Sequence, residues 1–375
     1  MAEWKQCKLS EIADIIMGQS PKSDYYNTEG KGIPFLQGNR TFGMKYPFFD
    51  TWTTKVTKEV QAGDVIMSVR APVGALNITT ENVCLGRGVC GLRMKNGRQD
   101  FLFYLMKFSM PQLLNKETGT IFGSVNRNDI SNLTVLVPED NVQDMVSHIL
   151  KNIDDKIENN NKINRNLQEQ VQAFFSRLYC NATDQSKYKS LIKVLGGGTP
   201  KTGVESYWNG TIPFFTPKDV GFSYTFETEK NITEDGLAHC NSKLYPANTT
   251  FVTARGTVGK VALAGVPMAM NQSCYALISD ILPPLMIYFY TLEVVKALKH
   301  KANGAVFDAI VTKDFDTEII NVLEQEDQIV FLDFAEPAYK QIYENIVENQ
   351  RLQTLRNSLL PKLMTGQLDI SEIEI

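Results

Sequence analysis

Apolar residues recur in alternating steps of three and four along the stretch from about Glu139 to Cys180. The row holds apolar side chains and two asparagines: Val142, Val146, Ile149, Ile153, Ile157, Asn160, Asn164, Leu167, Val171, Phe174 and Leu178. This spacing is typical of a coiled-coil seam rather than of the wider stripe of a globular helix. We therefore predict one helix over residues 139–180, roughly 50 Å long at about 1.5 Å per residue.

A second row of the same kind closes the chain and predicts another long helix over residues 324–366. Its members are again apolar residues and asparagines: Ala335, Ala338, Ile342, Asn345, Asn349, Leu352, Leu359 and Leu363. Two such rows in one chain are most easily buried against each other, so we predict an antiparallel intramolecular pair. Gly366, just past the last row position, is suited to a left-handed helix cap.

The two rows belong to a tandem duplication. A shift of 185 residues takes Asn164 onto Asn349 and Arg70 onto Arg255. Nearer the start the shift is 179, since Ser20-Pro-Lys aligns with Thr199-Pro-Lys. The difference in length falls between residues 39 and 62. We expect the two copies to have diverged there in what they recognise.

The segments before the two helices carry short apolar runs between Gly, Pro and Asn, which is typical of strands in a small mixed sheet. Each also contains one apolar helical stretch. The predicted fold class is α+β, with two similar α/β domains at residues 1–138 and 187–323. The two long helices separate these domains and form an antiparallel coiled coil with pseudo-twofold symmetry.

Composition limits the possible functions. The net charge of −4 argues mildly against a free nucleic-acid binder, because such domains are usually basic, unless local patches or basic partners supply the phosphate contacts. The six cysteines show no paired CxxC spacing, and we find neither a signal peptide nor an apolar run of membrane length. We expect a cytoplasmic protein without membrane contact.

Signatures of catalysis are largely missing from the sequence. Residues Gly86 to Gly91 match the dinucleotide pattern G-x-G-x-x-G, but the required helix does not follow, and the duplicated segment begins Asn271-Gln-Ser. A tight turn between strands is the favoured interpretation. The three histidines have no metal-binding spacing. We predict no catalytic residue, no metal and no cofactor in this chain.

Several residues carry a resemblance to a known family. Pro138 and Gln143 flank the start of the first helix, Gln328 occupies the matching place before the second, and Leu359-Leu-Pro-Lys-Leu-Met-Thr-Gly-Gln-Leu368 ends it. With two variable α/β domains, each followed by a long helix, the whole chain resembles the specificity (S) subunit of type I restriction-modification enzymes.

The resemblance implies a non-catalytic reader of double-stranded DNA. In that family each variable domain is a target-recognition domain that reads one half of a bipartite asymmetric site. The helices set the spacer and dock two methyltransferase (modification) subunits, and restriction subunits join for cleavage. S-adenosylmethionine, ATP and magnesium would then belong to partner subunits. Two alternatives stay open: a protein scaffold or adaptor without DNA specificity, and an enzyme that uses the Gly86 loop.

Candidate DNA-binding residues lie in corresponding loops of the two copies. They are polar or cationic residues that follow the Ile-Pro-Phe strands or an apolar strand before a glycine turn: Gln37, Asn39, Arg40, Lys45, Arg70, Thr216, Lys218 and Arg255. Gln, Asn and Arg can contact adenine or guanine edges in pairs of hydrogen bonds, and Lys can meet guanine or phosphate. The competing interpretation is a solvated loop residue or, for the arginines, a brace for the turn.

Overall fold

A computed structural model describes residues 4–114, 124–301, 309–368 and 370. Its internal contacts divide the chain into two compact units, which are described separately. Unit 1 comprises Met1–Glu158 and Gln350–Ile375, and unit 2 comprises Asn159–Asn349. Each unit therefore contains one α/β domain and a part of both long helices.

Unit 1 is built from short strands and one substantial helix of its own. Its strands are Trp4–Lys8 (β1), Ala13–Met17 (β2), Tyr26–Asn27 (β3), Ile33–Leu36 (β4), Trp52–Thr53 (β5), Glu59–Val60 (β6), Val65–Ser68 (β7), Leu76–Ile78 (β8), Val83–Leu85 (β9), Val89–Met94 (β10) and Thr134–Pro138 (β11). Its helices are Leu9–Ile12 (α1), Gln99–Leu114 (α2), Arg127–Ser131 (α3) and the first part of Asp140–Asn181 (α4). The strands form the sheets β1-β11, β2-β10-β7-β8 and β3-β5-β4-β9-β6.

Unit 2 repeats the main features of this order and adds the short helix Glu234–Ala238. Its strands are Asp184–Lys187 (β12), Lys193–Gly196 (β13), Trp208–Phe215 (β14), Tyr224–Thr225 (β15), Asn231–Ile232 (β16), Thr250–Thr253 (β17), Val261–Ala264 (β18), Ala269–Met270 (β19), Cys274–Ile278 (β20) and Ile319–Val322 (β21). Its helices are Tyr188–Leu191 (α5), Glu234–Ala238 (α6), Pro284–Lys301 (α7), Thr312–Thr317 (α8) and the first part of Gln325–Met364 (α9). The sheets are β12-β21, β13-β20-β17-β18-β15 and β16-β14-β19.

Strand registers match between the units. Cys90 of β10 is opposite Met67 of β7, and the residues 185 positions later, Tyr275 and Val252, are opposite each other in unit 2. The parallel pair β4 and β9 likewise has its counterpart in β14 and β19. Since a register slip of one residue would turn every side chain to the other face, matched registers mean that the duplicated residues keep their orientation. The duplication inferred from sequence is thus a duplication of structure.

The two long helices pack together in an antiparallel sense. In unit 1 the start of α4 shares a hydrophobic core with the end of α9, through Val146 and Leu150 against Leu363. In unit 2 the end of α4 shares a core with the start of α9, through Val171 against Ala335. The prediction of an antiparallel pair is confirmed. Leu150 and Phe175, outside the predicted row, are also fully buried, because α4 packs on an α/β domain as well as on α9.

Buried asparagines pair across the seam of unit 2. Asn160 Nδ2 donates to Asn349 Oδ1 at 2.9 Å, and Asn345 Nδ2 donates to Asn164 Oδ1 at 2.7 Å. The shift of 185 exchanges the two pairs, so the same contact is made from each copy of the helix. Buried polar seam residues favour one register over others, because a slip would leave their amides without partners.

The ends of the long helices explain two of the sequence signals. Gln143 Nε2 donates to Pro138 O at 2.8 Å, and Gln328 Nε2 donates to Leu323 O at the same distance, so each glutamine fastens a helix start to the preceding strand. At the other end Gly366 has a φ of +70°. The amide of Gln367 donates to Lys362 O and that of Gly366 to Leu363 O, which is a Schellman arrangement and confirms the left-handed cap predicted for this glycine.

A charged joint connects the α/β domain of unit 1 to the helices. Asp154 of α4 accepts a 2.8 Å hydrogen bond from Tyr104 of α2 and a 2.6 Å bond from Arg356 of α9. Burial, reinforced by the charge of Asp154, raises the pKa of the Tyr104 hydroxyl far above its ordinary value. Lys45 lies 3.0 Å from Asp155 beside this network.

The corresponding joint of unit 2 is aromatic. Shifted by 185 residues, Tyr104 and Asp154 become Phe289 and Tyr339, whose ring centroids lie 5.6 Å apart. Tyr288 and Phe331 complete the group, at 5.8 Å from Tyr339 and 5.1 Å from Phe289. Apolar burial and edge-to-face ring contacts therefore hold this joint where unit 1 uses charge.

Candidate nucleic-acid interface

Four loops meet at one edge of unit 1, and we call them together loop face 1: residues 18–22, 37–41, 69–75 and 86–88. Backbone hydrogen bonds join them into one surface: Gln19 N–H to Leu85 O (2.8 Å), Gly86 N–H to Leu36 O (2.8 Å), Val69 N–H to Gly88 O (2.9 Å) and Val125 N–H to Val69 O (3.1 Å). Each bond joins main chain to main chain, so this framework does not depend on the exposed side chains of the loops.

The glycine turn at 86–88 is the centre of loop face 1. A Cβ atom on Gly88 would lie 2.3 Å from Gln37 O, and one on Gly86 would lie 2.9 Å from the Gln37 Cα. Only glycine permits that approach. Strand β10, not a helix, follows the turn, so the favoured interpretation of the G-x-G-x-x-G segment as a turn between strands is confirmed.

Unit 2 forms the matching surface, loop face 2, from residues 197–201, 216–219, 254–260 and 271–273. Its backbone hydrogen bonds are those of loop face 1 carried to the second copy: Gly198 N–H to Met270 O (3.1 Å), Asn271 N–H to Phe215 O (3.0 Å), Ala254 N–H to Ser273 O (2.7 Å) and Ile310 N–H to Ala254 O (2.8 Å). A further bond, from Thr257 Oγ1 to Pro217 O at 3.0 Å, ties two of these loops together.

Loop face 1 is locally basic in a chain whose net charge is −4. Its four segments contain no Asp or Glu and four cations, which are Lys22, Arg40, Arg70 and Arg87. Loop face 2 contains Lys201, Lys218, Arg255 and Lys260 with one carboxylate, Asp219. This local excess of positive charge weakens the objection raised by the overall charge, because the attraction to phosphate depends on charges within about 10 Å.

Arg70 and Arg255 are the best placed of the predicted DNA-binding residues. Both are exposed at matched positions of their loop faces. Within the part of the chain that the structure describes, neither guanidinium has a hydrogen bond or an ion pair. The alternative that they brace their turns has no contact to support it among these residues.

The loop after β4 carries three predicted residues. Gln37 is exposed beside the glycine turn, and Asn39 is half-buried. Arg40 is exposed but pairs with Asp50 through contacts of 2.8 and 2.7 Å. The hydrogen bonds from Arg40 and Thr51 lower the pKa of the Asp50 carboxyl. Arg40 would have to leave this partner, or share it, to contact DNA.

Lys45, also predicted to bind DNA, is buried, with 4% of its surface exposed. Its ammonium lies 3.0 Å from Asp155 of α4 and 5.5 Å from the ring centroid of Tyr46. The geometry gives Lys45 a place in the charged joint and does not present it on loop face 1.

In unit 2 the predicted residues Thr216 and Lys218 differ in availability. The Thr216 hydroxyl donates to Asp219 Oδ2 at 2.6 Å and so closes its own loop. Lys218 has 80% of its side chain exposed, and its Nζ is 3.6 Å from Glu229. An ion pair this exposed contributes little, so the Lys218 ammonium is available to a polyanion.

The structure adds exposed cations that the sequence analysis did not select. They lie on or beside the loop faces, and their side chains have no partner among the described residues: Lys22, Arg87, Arg127, Lys201 and Lys313. Lys22 and Lys201 correspond to each other in the duplication, so their matched positions were a usable signal. Arg87 was hidden by the interpretation of its segment as a simple turn.

Among residues 4–114, 124–301, 309–368 and 370, no group of His, Cys, Asp or Glu is arranged to hold a metal ion. In the same ranges, no helix combines the length and apolar character that crossing a membrane requires. The geometry offers hydrogen-bond donors and positive charge on two loop faces.

The model of the family described as type I restriction modification DNA specificity domain matches this chain twice, at residues 1–169 and 183–354. The chain belongs to this family. It is similar to a Methanocaldococcus jannaschii protein that carries the name of the MjaX type I restriction enzyme specificity subunit, at 39% identity over 45% of this chain and 40% of that protein. It thus spans about two fifths of this relative's length.

Two further likenesses extend over the full chain. The HindI type I restriction enzyme specificity subunit of Haemophilus influenzae is 19% identical over 98% of this chain and 100% of that protein. The crystal structure of the S subunit of a type I restriction-modification system from M. genitalium superposes with a TM-score of 0.63 at 14% identity, covering 99% of this chain and 97% of that one. At that identity the superposition establishes the shared fold.

Proposed function

We propose that this chain is the sequence-specific DNA-recognition subunit of a type I restriction-modification complex. Residues 1–138 and 187–323 are its two target-recognition domains, and each reads one half of a bipartite asymmetric site. The observation that supports this proposal is the pair of loop faces. They share one backbone framework, carry exposed cations, and differ in the side chains that they present.

That combination suits the two tasks of a DNA reader. Contacts to phosphate fix position and orientation, whereas contacts to base edges carry the sequence information. Lys22, Lys201 and Lys218 suit phosphate contacts because they are exposed point charges. Arg70, Arg255 and Gln37 can address base edges with two hydrogen bonds each.

The remaining parts of the proposal concern the assembly. The subunit is non-catalytic and acts in the cytoplasm. Two methyltransferase subunits dock on the paired helices, restriction subunits join them for cleavage, and the helices set the length of the unread spacer. S-adenosylmethionine, ATP and magnesium belong to those partners. The buried asparagine pairs support a spacer role, because they favour a single register of the helices.

The proposal is tested by co-expressing the chain with its companion methyltransferase in a host that lacks adenine methylation, followed by mapping of methylated adenines across the genome. The expected result is one asymmetric bipartite sequence. The control lacks this chain and should leave the genome unmethylated. Methylation that follows no bipartite sequence would contradict the proposal.

The second candidate is a protein scaffold or adaptor without DNA specificity, which the net charge of −4 favours. An electrophoretic comparison separates the two functions. A DNA reader in complex with its methyltransferase should shift a duplex carrying the mapped site and not a duplex with one half scrambled, whereas an adaptor should treat both duplexes alike.

A further inference from the structure

Arg87 and Gln272 occupy the same position in the two copies of the glycine turn. Gly86 and Asn271, the residues before them, each donate a backbone hydrogen bond to the end of the Ile-Pro-Phe strand, at 2.8 and 3.0 Å. Gly88, after Arg87, accepts a 2.9 Å hydrogen bond from the Val69 amide, and its counterpart Ser273 accepts a 2.7 Å bond from the Ala254 amide. Two backbone hydrogen bonds that flank the position are therefore the same in both units.

A hydroxyl from the neighbouring loop touches this position in both units. Ser20 Oγ accepts a 3.1 Å hydrogen bond from the backbone amide of Arg87. Its counterpart Thr199 donates from Oγ1 to Oε1 of the Gln272 side chain. In unit 1 this contact leaves the side chain unrestrained, and in unit 2 it orients the amide while one lone pair of Oε1 and both protons of Nε2 stay available.

Both side chains point away from the fold. Arg87 and Gln272 are exposed, and the Arg87 guanidinium has no hydrogen bond or ion pair within the described ranges. Arg can pair with guanine O6 and N7, and Gln with adenine N6 and N7, through two adjacent hydrogen bonds in the major groove. The two copies thus share the backbone hydrogen bonds at this position and differ in its side chain, which is Arg87 in unit 1 and Gln272 in unit 2.

We propose that this position is a specificity position, at which Arg87 reads guanine in one half-site and Gln272 reads adenine in the other. The proposal rests on the proposed function, since it assumes that the two loop faces meet DNA. It goes beyond that function by naming a residue pair and the base that each selects.

The test converts one copy into the other. The full chain with its methyltransferase is incubated with a randomised duplex library, and bound sequences are counted for the wild type and for Arg87→Gln, Arg87→Lys and Gln272→Arg. Arg87→Gln should replace guanine by adenine at one position of one half-site, and Gln272→Arg should do the reverse in the other half. Discrimination at the affected position should change by roughly five- to 150-fold, the value of a good two-bond contact.

Arg87→Lys separates base reading from phosphate contact. It keeps the charge but replaces the planar fork with a point charge that makes a weaker contact to guanine, so a base-reading arginine should lose part of its guanine preference at its position while binding stays equally dependent on salt. The control is Lys5→Gln, which removes an exposed charge from β1 in the same unit. It should leave the enriched sequence unchanged.

The other possible results of this experiment contradict either the proposed function or the specificity position. If the wild type enriches no bipartite sequence, the proposed function itself is wrong. If the wild type enriches one and Arg87→Gln enriches the same one, the specificity position is wrong while the function stands. Uniform weakening by Arg87→Gln that Arg87→Lys restores would assign Arg87 to phosphate and overturn the proposal, as would a change in both half-sites. Melting curves identify a variant that fails by unfolding, and in that case Arg87→Lys alone decides.

Discussion

The joints that connect the α/β domains to the long helices are the clearest difference between units 1 and 2. At equivalent positions unit 1 holds Tyr104 and Asp154 in a buried hydrogen bond that extends to Arg356. Unit 2 holds Phe289 and Tyr339 in ring contact. A hydrogen-bonded charged network and an aromatic cluster therefore occupy equivalent positions in the two units.

The loop faces differ from the joints in what the two units have in common. There four backbone hydrogen bonds of unit 1 recur in unit 2, and the side chains on the surface differ. The joint can change its chemistry because a well-packed apolar group often substitutes for a buried ion pair at little cost. Under the proposed function, the loop faces keep their framework because reading DNA requires the side chains to be held in place.

The largest effect should come from breaking the charged joint. Asp154→Ala leaves Arg356, with only 11% of its side chain exposed, without a counter-charge and is expected to destabilise unit 1 by about 3–5 kcal/mol. Hydrogen exchange in mild denaturant should show α2 losing protection while α7 keeps it. Adding Arg356→Met should restore most of the loss. An Asp154→Ala protein with normal protection in α2 would show that the network is unimportant.

Breaking the aromatic joint should cost a comparable amount by a different route. Tyr339→Ala removes a ring that is 1% exposed, and loss of a large buried side chain costs about 3–5 kcal/mol. Protection should fall in α7 and stay normal in α2. No removal of a neighbouring charge should rescue it, and a loss concentrated in α2 would contradict the assignment of this joint to unit 2.

A smaller effect is expected at the loop faces and concerns DNA rather than folding. Arg70→Ala and Arg255→Ala should each lower affinity for the specific site by roughly 1–3 kcal/mol if these arginines read bases. Fluorescence titration at fixed salt measures the affinity, and thermal melting is the control. A drop in melting temperature with normal binding by the folded fraction would assign the arginine to bracing its turn.

The smallest effect should follow Lys45→Met. Methionine can fill the buried position, and one partner of an ion pair whose carboxylate is 40% exposed contributes only about 1 kcal/mol or less. The DNA sequence recognised should stay the same, as read from methylated adenines. A change in one half of the recognised sequence would show that Lys45 is a DNA-binding residue after all.

Patterns of long range and strict period were enough to predict the architecture. The rows of apolar residues and asparagines predicted the antiparallel helices, and the constant shifts predicted two equivalent domains. Gly366 predicted a left-handed helix cap because few residues other than glycine adopt that conformation readily. These features follow from local geometry repeated along the chain.

Burial that depends on tertiary packing could not be predicted in the same way. Lys45 follows a strand, as a DNA-contacting loop residue would, and nothing local shows that Asp155, 110 positions away, receives its ammonium. Arg87 is the opposite case, since it was left out of the predicted DNA-binding residues. Its glycine neighbours indicate a turn and do not reveal which way the side chain points. The burial of Leu150 and Phe175 was not predicted, because the coiled-coil spacing describes only the face of α4 that packs on α9. A second face of α4 packs on an α/β domain.

The central claim is that the two α/β domains read separate halves of one site. Its most direct test replaces residues 187–323 with the corresponding domain of another family member and maps adenine methylation by the hybrid with the original methyltransferase. The account predicts that one half of the methylated sequence changes and that the other half stays as in the wild type. A hybrid that is active and alters both halves, or neither, would contradict it.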